Sequence, residues 1–181
     1  MWTGPSCLRT TPCLQRFYPQ HRHFFQNDLK VGDANINTLA NEAKQISFSD
    51  TVEYIGQIFM AMSKYLELCE INPSVEALIS CPIFPIVSKL SPDFQLCSAT
   101  LVDLWFIADQ PHLKVSFEGC VPLLVFGADV LENVQPLFKA LGLEGRMLSK
   151  VARGVSKTDG KADLHPEYTR VIQEKARCIA R

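Results

Sequence analysis

The stretch LVDLWFIADQPHLKVSFEGCVPLLVFGADVLENVQPLFKALGL, residues 101–143, decides the fold because it alone couples dense apolar residues to boundary signals at every joint. Its first part, Leu101, Val102, Leu104, Trp105, Phe106, Ile107 and Ala108, is an apolar run interrupted only by Asp103. A run of that length suits a strand covered on both faces, and a buried strand is expected there. The next part reads two ways. Leu113, Val115 and Phe117 alternate with Lys114, Ser116 and Glu118 as a half-buried strand would. The helical reading is preferred: Asp109 can act as N-cap, Pro111 sits where its missing N–H costs nothing, Leu113 and Phe117 lie one turn apart, and Gly119 can supply a left-handed residue at the end. Val121, Leu123, Leu124, Val125 and Phe126 make a second expected buried strand, with Pro122 confined to its entrance or to an edge. Asp129 and Glu132 form a capping-box-like pair ahead of Val130, Leu131, Val134, Leu137, Phe138 and Leu141. Pro136 should kink or split that helix by removing an internal hydrogen bond, and Gly142 ends it.

Toward the amino terminus, a long helix is expected from Ser49 or Asp50, either of which can cap it, to about Glu70. Val52, Ile55, Phe59, Met62, Leu66 and Cys69 are spaced three and four apart and give one apolar stripe. The stripe is too short for a coiled coil and should pack on the domain's own core, with Gly56 marking a close helix crossing. Asn72 and Pro73 stop the helix, and Ser74 to Ile79 adds a short turn. Cys81 to Pro92 holds Pro82, Pro85 and Pro92 around Ile83, Phe84, Ile86 and Val87, which reads as an extended, partly buried strand or a polyproline-like connection. Beyond Leu143, Glu144 to Val155 reads as a short amphipathic helix with Arg146, Lys150 and Arg153 on a solvated face.

The ends of the chain are less apolar. Met1 to Gln26 holds Arg9, Arg16, Arg22 and three prolines, Pro5, Pro12 and Pro19, with no acidic residue. Arginine without acid is compatible with a mitochondrial transit peptide, but the prolines oppose the amphipathic helix an import signal needs. An unstructured leader is preferred, and His21 and His23 beside Phe24 and Phe25 are read as part of it rather than as a metal or aromatic site. Asn27 to Lys44 reads as a linker that turns helical near Leu39. Four segments result: a flexible leader and linker (1–44), a globular core (45–155), a mobile loop (156–164) and a terminal helix (165–181). That helix carries Tyr168, Val171, Ile172, Lys175 and Ile179 along one side and has no stop signal, as if the natural domain continued.

Composition narrows the function classes. A chain of 181 residues can bury one self-sufficient core, and 47% hydrophobic with 20% charged residues is ordinary for a globular protein. A net charge of −1 argues against nucleic acid and anionic membrane as partners, and no apolar run reaches the length of a membrane-spanning helix. Seven cysteines, Cys7, Cys13, Cys69, Cys81, Cys97, Cys120 and Cys178, occur at irregular spacing without a C-x-x-C pair. They read as reduced thiols in a cytoplasmic protein, mostly buried as small hydrophobes, with no metal and no cofactor implied. Nucleotide fingerprints of the G-x-G type and the lysine-bearing phosphate loop are missing.

A succession of spaced residues carries a family resemblance. Ile83, Phe84 and Pro85 begin it. Phe106 to Asp109, Leu113, Phe117 to Gly119, Val121 to Leu124, Phe126, Leu137, Phe138, Leu141 to Glu144, Arg146, Leu148 and Ser149 continue it, and Lys175 to Arg177 end it. It resembles a segment of large, mostly fungal proteins that are similar to sacsin and to the plant protein NO VEIN. Those proteins carry a histidine-kinase/gyrase-type ATPase-like domain near the front. The resemblance implies a piece lying beyond the ATPase region, with no catalytic residue to transfer and with another protein, or the remainder of a larger chain, as its partner.

Two functions are weighed. The first is a non-catalytic structural or protein-interaction segment, for which Cys120 should be buried. The second is a small cysteine-dependent hydrolase or transferase in which Cys120 is the nucleophile, His112 the base and Asp109 its orienting acid. Against the second, all three residues lie in one short segment, whereas such sets are normally gathered from distant parts of a fold. The expected fold is a helix-rich α+β single domain with two or three short central strands and a flexible amino-terminal arm. Its expected core is Ile55, Phe59, Met62, Leu66, Leu104, Phe106, Leu113, Phe117, Leu124, Phe126, Leu137, Phe138 and Leu141.

Overall fold

The fold is built on α2, Val52–Leu66, whose stripe of Ile55, Ile58, Phe59 and Met62 is completely buried. The computed structural model describes residues 1–66, 73–88, 91–100 and 104–153. The expected loop at 156–164 and terminal helix at 165–181 lie outside them. Thr51 caps α2 by accepting the Tyr54 N–H at 3.2 Å. Neither Ser49 nor Asp50 does so, because Asp50 is turned inward to accept the Ser47 N–H at 2.8 Å. A methyl group on Gly56 would lie 3.4 Å from Val130, so the expected close crossing is real.

Before α2 comes α1, Ile36–Ala43, started by a reciprocal capping box between Asn35 and Thr38. After it come α3, Pro73–Glu76, and a 3-10 turn, Ala77–Ser80. Strands β1, Phe84–Ser88, and β2, Ser91–Cys97, form an antiparallel hairpin, and β1 pairs on its other edge with β3, Leu123–Leu124. The three-stranded antiparallel sheet therefore has the order β2-β1-β3. Beyond it α5, Ala128–Asn133, and α6, Gln135–Ala140, are separate helices that meet at Val134. Pro136 splits them as expected, because its ring has no N–H to continue the ladder. Gly142 ends α6 with a left-handed φ of 67°. With α4, Pro111–Phe117, and α7, Leu148–Val151, packed around this sheet, the chain is a helix-rich α+β domain.

Several local expectations are corrected. Residues Leu104 to Ala108 do not form a strand: Phe106 and Ile107 make only isolated parallel bridges, to Leu123 and Met147. The apolar run is divided between destinations, with Trp105 and Ile107 in the main core, Phe106 against a second, small cluster, and Leu104 68% exposed. Leu104 is therefore not a core residue. The second strand shrinks to two residues because Pro122 offers no N–H, while its carbonyl accepts from Phe106 at 2.9 Å. The N-cap of α5 is Gly127 without a side-chain bond, so Asp129 sits inside the first turn instead of capping. The expected helix after Glu144 is a 3-10 turn, Leu143–Arg146, followed by the short α7. Arg146 does not face solvent but donates to the carbonyls of Trp105 (3.3 Å), Ala99 (3.1 Å) and Thr100 (2.7 Å). Its guanidinium also lies over the Trp105 ring, 4.6 Å from the centroid.

The core centres on Phe59, which meets Phe84 and Phe126 edge-on at 5.6 and 5.5 Å. Of the expected members, Ile55, Phe59, Met62, Leu124, Phe126, Leu137, Phe138 and Leu141 are buried in it, and Leu66 packs at its margin. Leu113 and Phe117 instead join Phe106 as half-buried residues against Ala108, Leu123 and Leu148. Much of the expected loose leader is docked. Trp2 is 1% exposed, its N–H donates to Gly32 and the Ala34 N–H returns to Thr3, so residues 2–3 lie ladder-like along 32–34. Aromatic burial and satisfied backbone groups hold it. Phe17, Tyr18 and Phe24, between these docked parts, are exposed. Among the described residues, no helix is long and apolar enough to cross a membrane.

Candidate functional site

The three residues weighed as a nucleophilic set sit around α4 without meeting. Gln110, not Asp109, occupies the N-cap position, and the Asp109 carboxylate accepts the Ser149 N–H of α7 at 3.0 Å. His112 is exposed in the first turn and Cys120 is exposed beyond the last, after Gly119 with its φ of 72°. At about 1.5 Å per residue the helix alone puts His112 and Phe117 roughly 7 Å apart along its axis, and Cys120 follows further on. No hydrogen bond among the described residues joins the thiol, the imidazole and the carboxylate. The exposure of Cys120 corrects the expectation that it would be buried, because the turn at Gly119 carries it off the small cluster. Of the other cysteines, Cys7 is buried while Cys13, Cys81 and Cys97 are half-buried, and Cys69 and Cys178 lie outside the described residues. His21 and His23 are exposed. Among the described residues, no three His, Cys, Asp or Glu side chains are grouped to hold a metal ion.

A denser polar constellation lies where the amino-terminal segment crosses α1 and the start of α2. Glu42 shares the buried side of α1 with Leu39 and Ala43 and is itself 1% exposed. One carboxylate oxygen accepts the Arg9 N–H at 2.8 Å and the Tyr54 hydroxyl at 2.7 Å. The other accepts the Thr10 N–H at 3.1 Å and the Thr10 hydroxyl. Beside it Asp50, 7% exposed, accepts the Ser47 N–H and hydroxyl and pairs with the Arg9 guanidinium. That guanidinium covers the Tyr54 ring, 3.3 Å from its centroid, while the Arg9 side chain remains 56% exposed.

The electrostatics follow from this arrangement. Burial alone would raise the Glu42 carboxyl, but the hydrogen bonds from Thr10, Tyr54 and Arg9 outweigh it and hold the group below its ordinary value. Asp50 behaves alike: burial works upward, and the Ser47 N–H with the Arg9 guanidinium brings it below the usual range. Burial, and then the bond to Glu42, push the Tyr54 phenol up. The site is thus two ionised carboxylates and a neutral phenol that grip one bent segment by its backbone, its hydroxyl and its cation. Sequence reasoning missed all five residues. The available signal was Glu42 itself, an acid three residues after Leu39 and one before Ala43 on an apolar helix face.

Residues 37–152 match the model of a family described as Domain of unknown function (DUF8348). The chain belongs to the DUF8348 family. The match covers more than half of the chain and takes in every element from α1 to α7 except Ile36, the first residue of α1. No curated protein and no solved structure matches the chain. Glu42, Asp50 and Tyr54 fall inside the DUF8348 segment, whereas Arg9 and Thr10 precede it. The DUF8348 domain therefore holds, at a buried acidic site, a stretch of polypeptide from outside itself.

Proposed function

We propose that the chain is a non-catalytic structural or protein-interaction module that holds a bent polypeptide segment, working in the cytoplasm as part of a larger sacsin-like, ATPase-associated protein. The observation that carries the reading is the Glu42 carboxylate, which accepts two consecutive backbone N–H groups, from Arg9 and Thr10. Backbone groups occur in every peptide, so this part of the grip suits many sequences. The larger-protein context rests on the residue resemblance that runs from Ile83 to Arg177. The test uses the full chain with Arg9→Ala and Thr10→Ala, which loosens the internal occupant and leaves the carboxylates in place. A labelled peptide copying residues 1–13, with serine for both cysteines, should bind it saturably by fluorescence anisotropy, and Glu42→Ala should remove the binding. Absence of binding to the loosened chain would overturn the reading.

A second reading keeps Cys120 as the nucleophile of a hydrolase or transferase, and the exposure of its thiol favours it. It requires His112 to swing toward Cys120 when substrate binds. Hydrolysis of activated thioesters that Cys120→Ser abolishes and His112→Ala slows would establish it; unchanged rates in both variants would remove it.

A further inference from the structure

We propose that the loop between Gln15 and Val31 docks the chain on an anionic lipid bilayer. Phe17, Tyr18, Phe24 and Leu29 enter the bilayer surface, and Arg16, Arg22 and Lys30 stay among the lipid phosphates. This goes beyond the interaction-module reading and does not depend on it.

The loop stands out from the body while its neck is fixed. Leu14 and Gln15 donate their N–H groups to the carbonyls of Met1 and Trp2 at 3.0 and 3.1 Å, and Trp2 in turn donates to Gly32 at 2.9 Å. On the other side Val31 donates to the Phe25 carbonyl at 2.8 Å. Phe25 is half-buried and stacks on the buried Trp2 indole, with 5.7 Å between ring centroids. Every residue from Gln15 to Phe24 is exposed. Tyr18 and Phe24 both rest on Phe25, at 5.5 and 5.3 Å, so these rings are ordered before any partner arrives.

Four of the eight large hydrophobic side chains exposed among the described residues are Phe17, Tyr18, Phe24 and Leu29. Apolar groups gathered in this way mark a surface that something covers. The overall charge of −1, which argues against an anionic membrane, is unevenly spread. No acid occurs from Met1 to Asn27, and the loop sets Arg16, Arg22 and Lys30, with His21 and His23, against Asp28 alone. At the neck Asp33 accepts the Thr3 N–H and hydroxyl and lies within the field of Arg22, whose own bond is to the neutral Gln26 at 2.8 Å. A bilayer suits these groups better than a nucleic-acid strand does. Bases stack on free ring faces, whereas Tyr18 and Phe24 are engaged with Phe25 and Leu29 has no ring. Aromatic rings and leucine at headgroup level, with long cationic side chains reaching phosphate, are what a membrane interface takes up.

The experiment sediments the full chain with vesicles of phosphatidylcholine alone and with vesicles in which about one lipid in three is phosphatidylserine. Binding should be at least about tenfold tighter to the anionic vesicles and should weaken as salt is raised. Phe17→Ser with Phe24→Ser should lower that binding about tenfold, and Arg16→Glu with Arg22→Glu should abolish the preference for phosphatidylserine. Val115→Ser, 78% exposed on α4, should bind as the parent chain does. Circular dichroism should stay unchanged in all of them, because the altered side chains are exposed. Should the double aromatic variant unfold, Phe17→Ser alone takes its place, with a loss of about threefold. Absence of binding to both vesicles overturns the proposal, and so does binding that ignores the aromatic or the arginine substitutions. Binding to single-stranded polyuridylate instead of vesicles, lost in the same aromatic variant, would assign the loop to nucleic acid and overturn the bilayer as its partner.

Discussion

Arg9 and Thr10 of the amino-terminal segment and helix α4 both lie at the periphery, and they are attached by opposite means. These residues are latched by directional polar bonds to two buried acids, so the Arg9 and Thr10 donors find their acceptors in one register. Helix α4 buries no residue completely and rests on a small apolar cluster through Leu113 and Phe117. Apolar contact is non-directional and scales with area, whereas an ionised acceptor left without its donors is expensive. A region outside the family domain can thus be placed more definitely than a helix inside it.

Breaking the latch should have the largest effect. Glu42→Ala leaves the Arg9 and Thr10 N–H groups and the Tyr54 hydroxyl without their acceptor, and urea unfolding should show a loss of about 3 kcal/mol. A loss below about 1 kcal/mol would mean water replaces the carboxylate freely and the latch is an ordinary surface contact.

Acid should loosen the same region without touching α4. Glu42 and Asp50 have folded-state values below their ordinary ones. A depressed carboxyl contributes stability that is complete above its unfolded value, near 4, and is lost as the pH falls through the folded value. The amides of Arg9 and Thr10 should therefore lose hydrogen-exchange protection below about pH 4, while those at the end of α4 keep theirs. Simultaneous loss would show that the two regions unfold as one unit.

On the apolar side, Phe117→Ala should cost about 1–2 kcal/mol, less than the 3–5 of a fully packed phenylalanine, because the ring is only half-buried. A full-sized loss would place α4 deeper than its exposure implies. The smallest effect belongs to Cys120→Ser, within about 0.5 kcal/mol, accompanied in the parent chain by rapid alkylation of Cys120 and slow alkylation of Cys7. The reverse order of rates would invert the comparison.

Legibility in the sequence followed the range of the interaction. The α2 stripe, the split at Pro136, the left-handed Gly119 and Gly142 and the close approach at Gly56 were all readable, because each depends on spacing or on one residue's backbone chemistry. The stretch from Leu104 to Ala108 misled, since an apolar run says that side chains are buried and not which partner buries them. Caps misled for a related reason: Asp50, Asp109 and Asp129 all suit a helix start, but Asp50 is used by Ser47 and Arg9, Asp109 by Ser149, and Asp129 sits two residues past the N-cap. Arg146 looked like a solvated base and became the donor that ties three carbonyls together.

By itself the sequence determined a helix-rich α+β chain, the places where its helices break, and part of the main core. Those are consequences of periodicity and of what proline and glycine permit, and they need no knowledge of distant neighbours. Only the tertiary structure decided that the first ten residues belong to the fold, that Cys120, His112 and Asp109 stay apart, and that Arg9 and Thr10 meet Glu42 more than thirty residues away. The position of Glu42 on an apolar helix face is readable locally, but its partners are not, because the fold brings the donors to it.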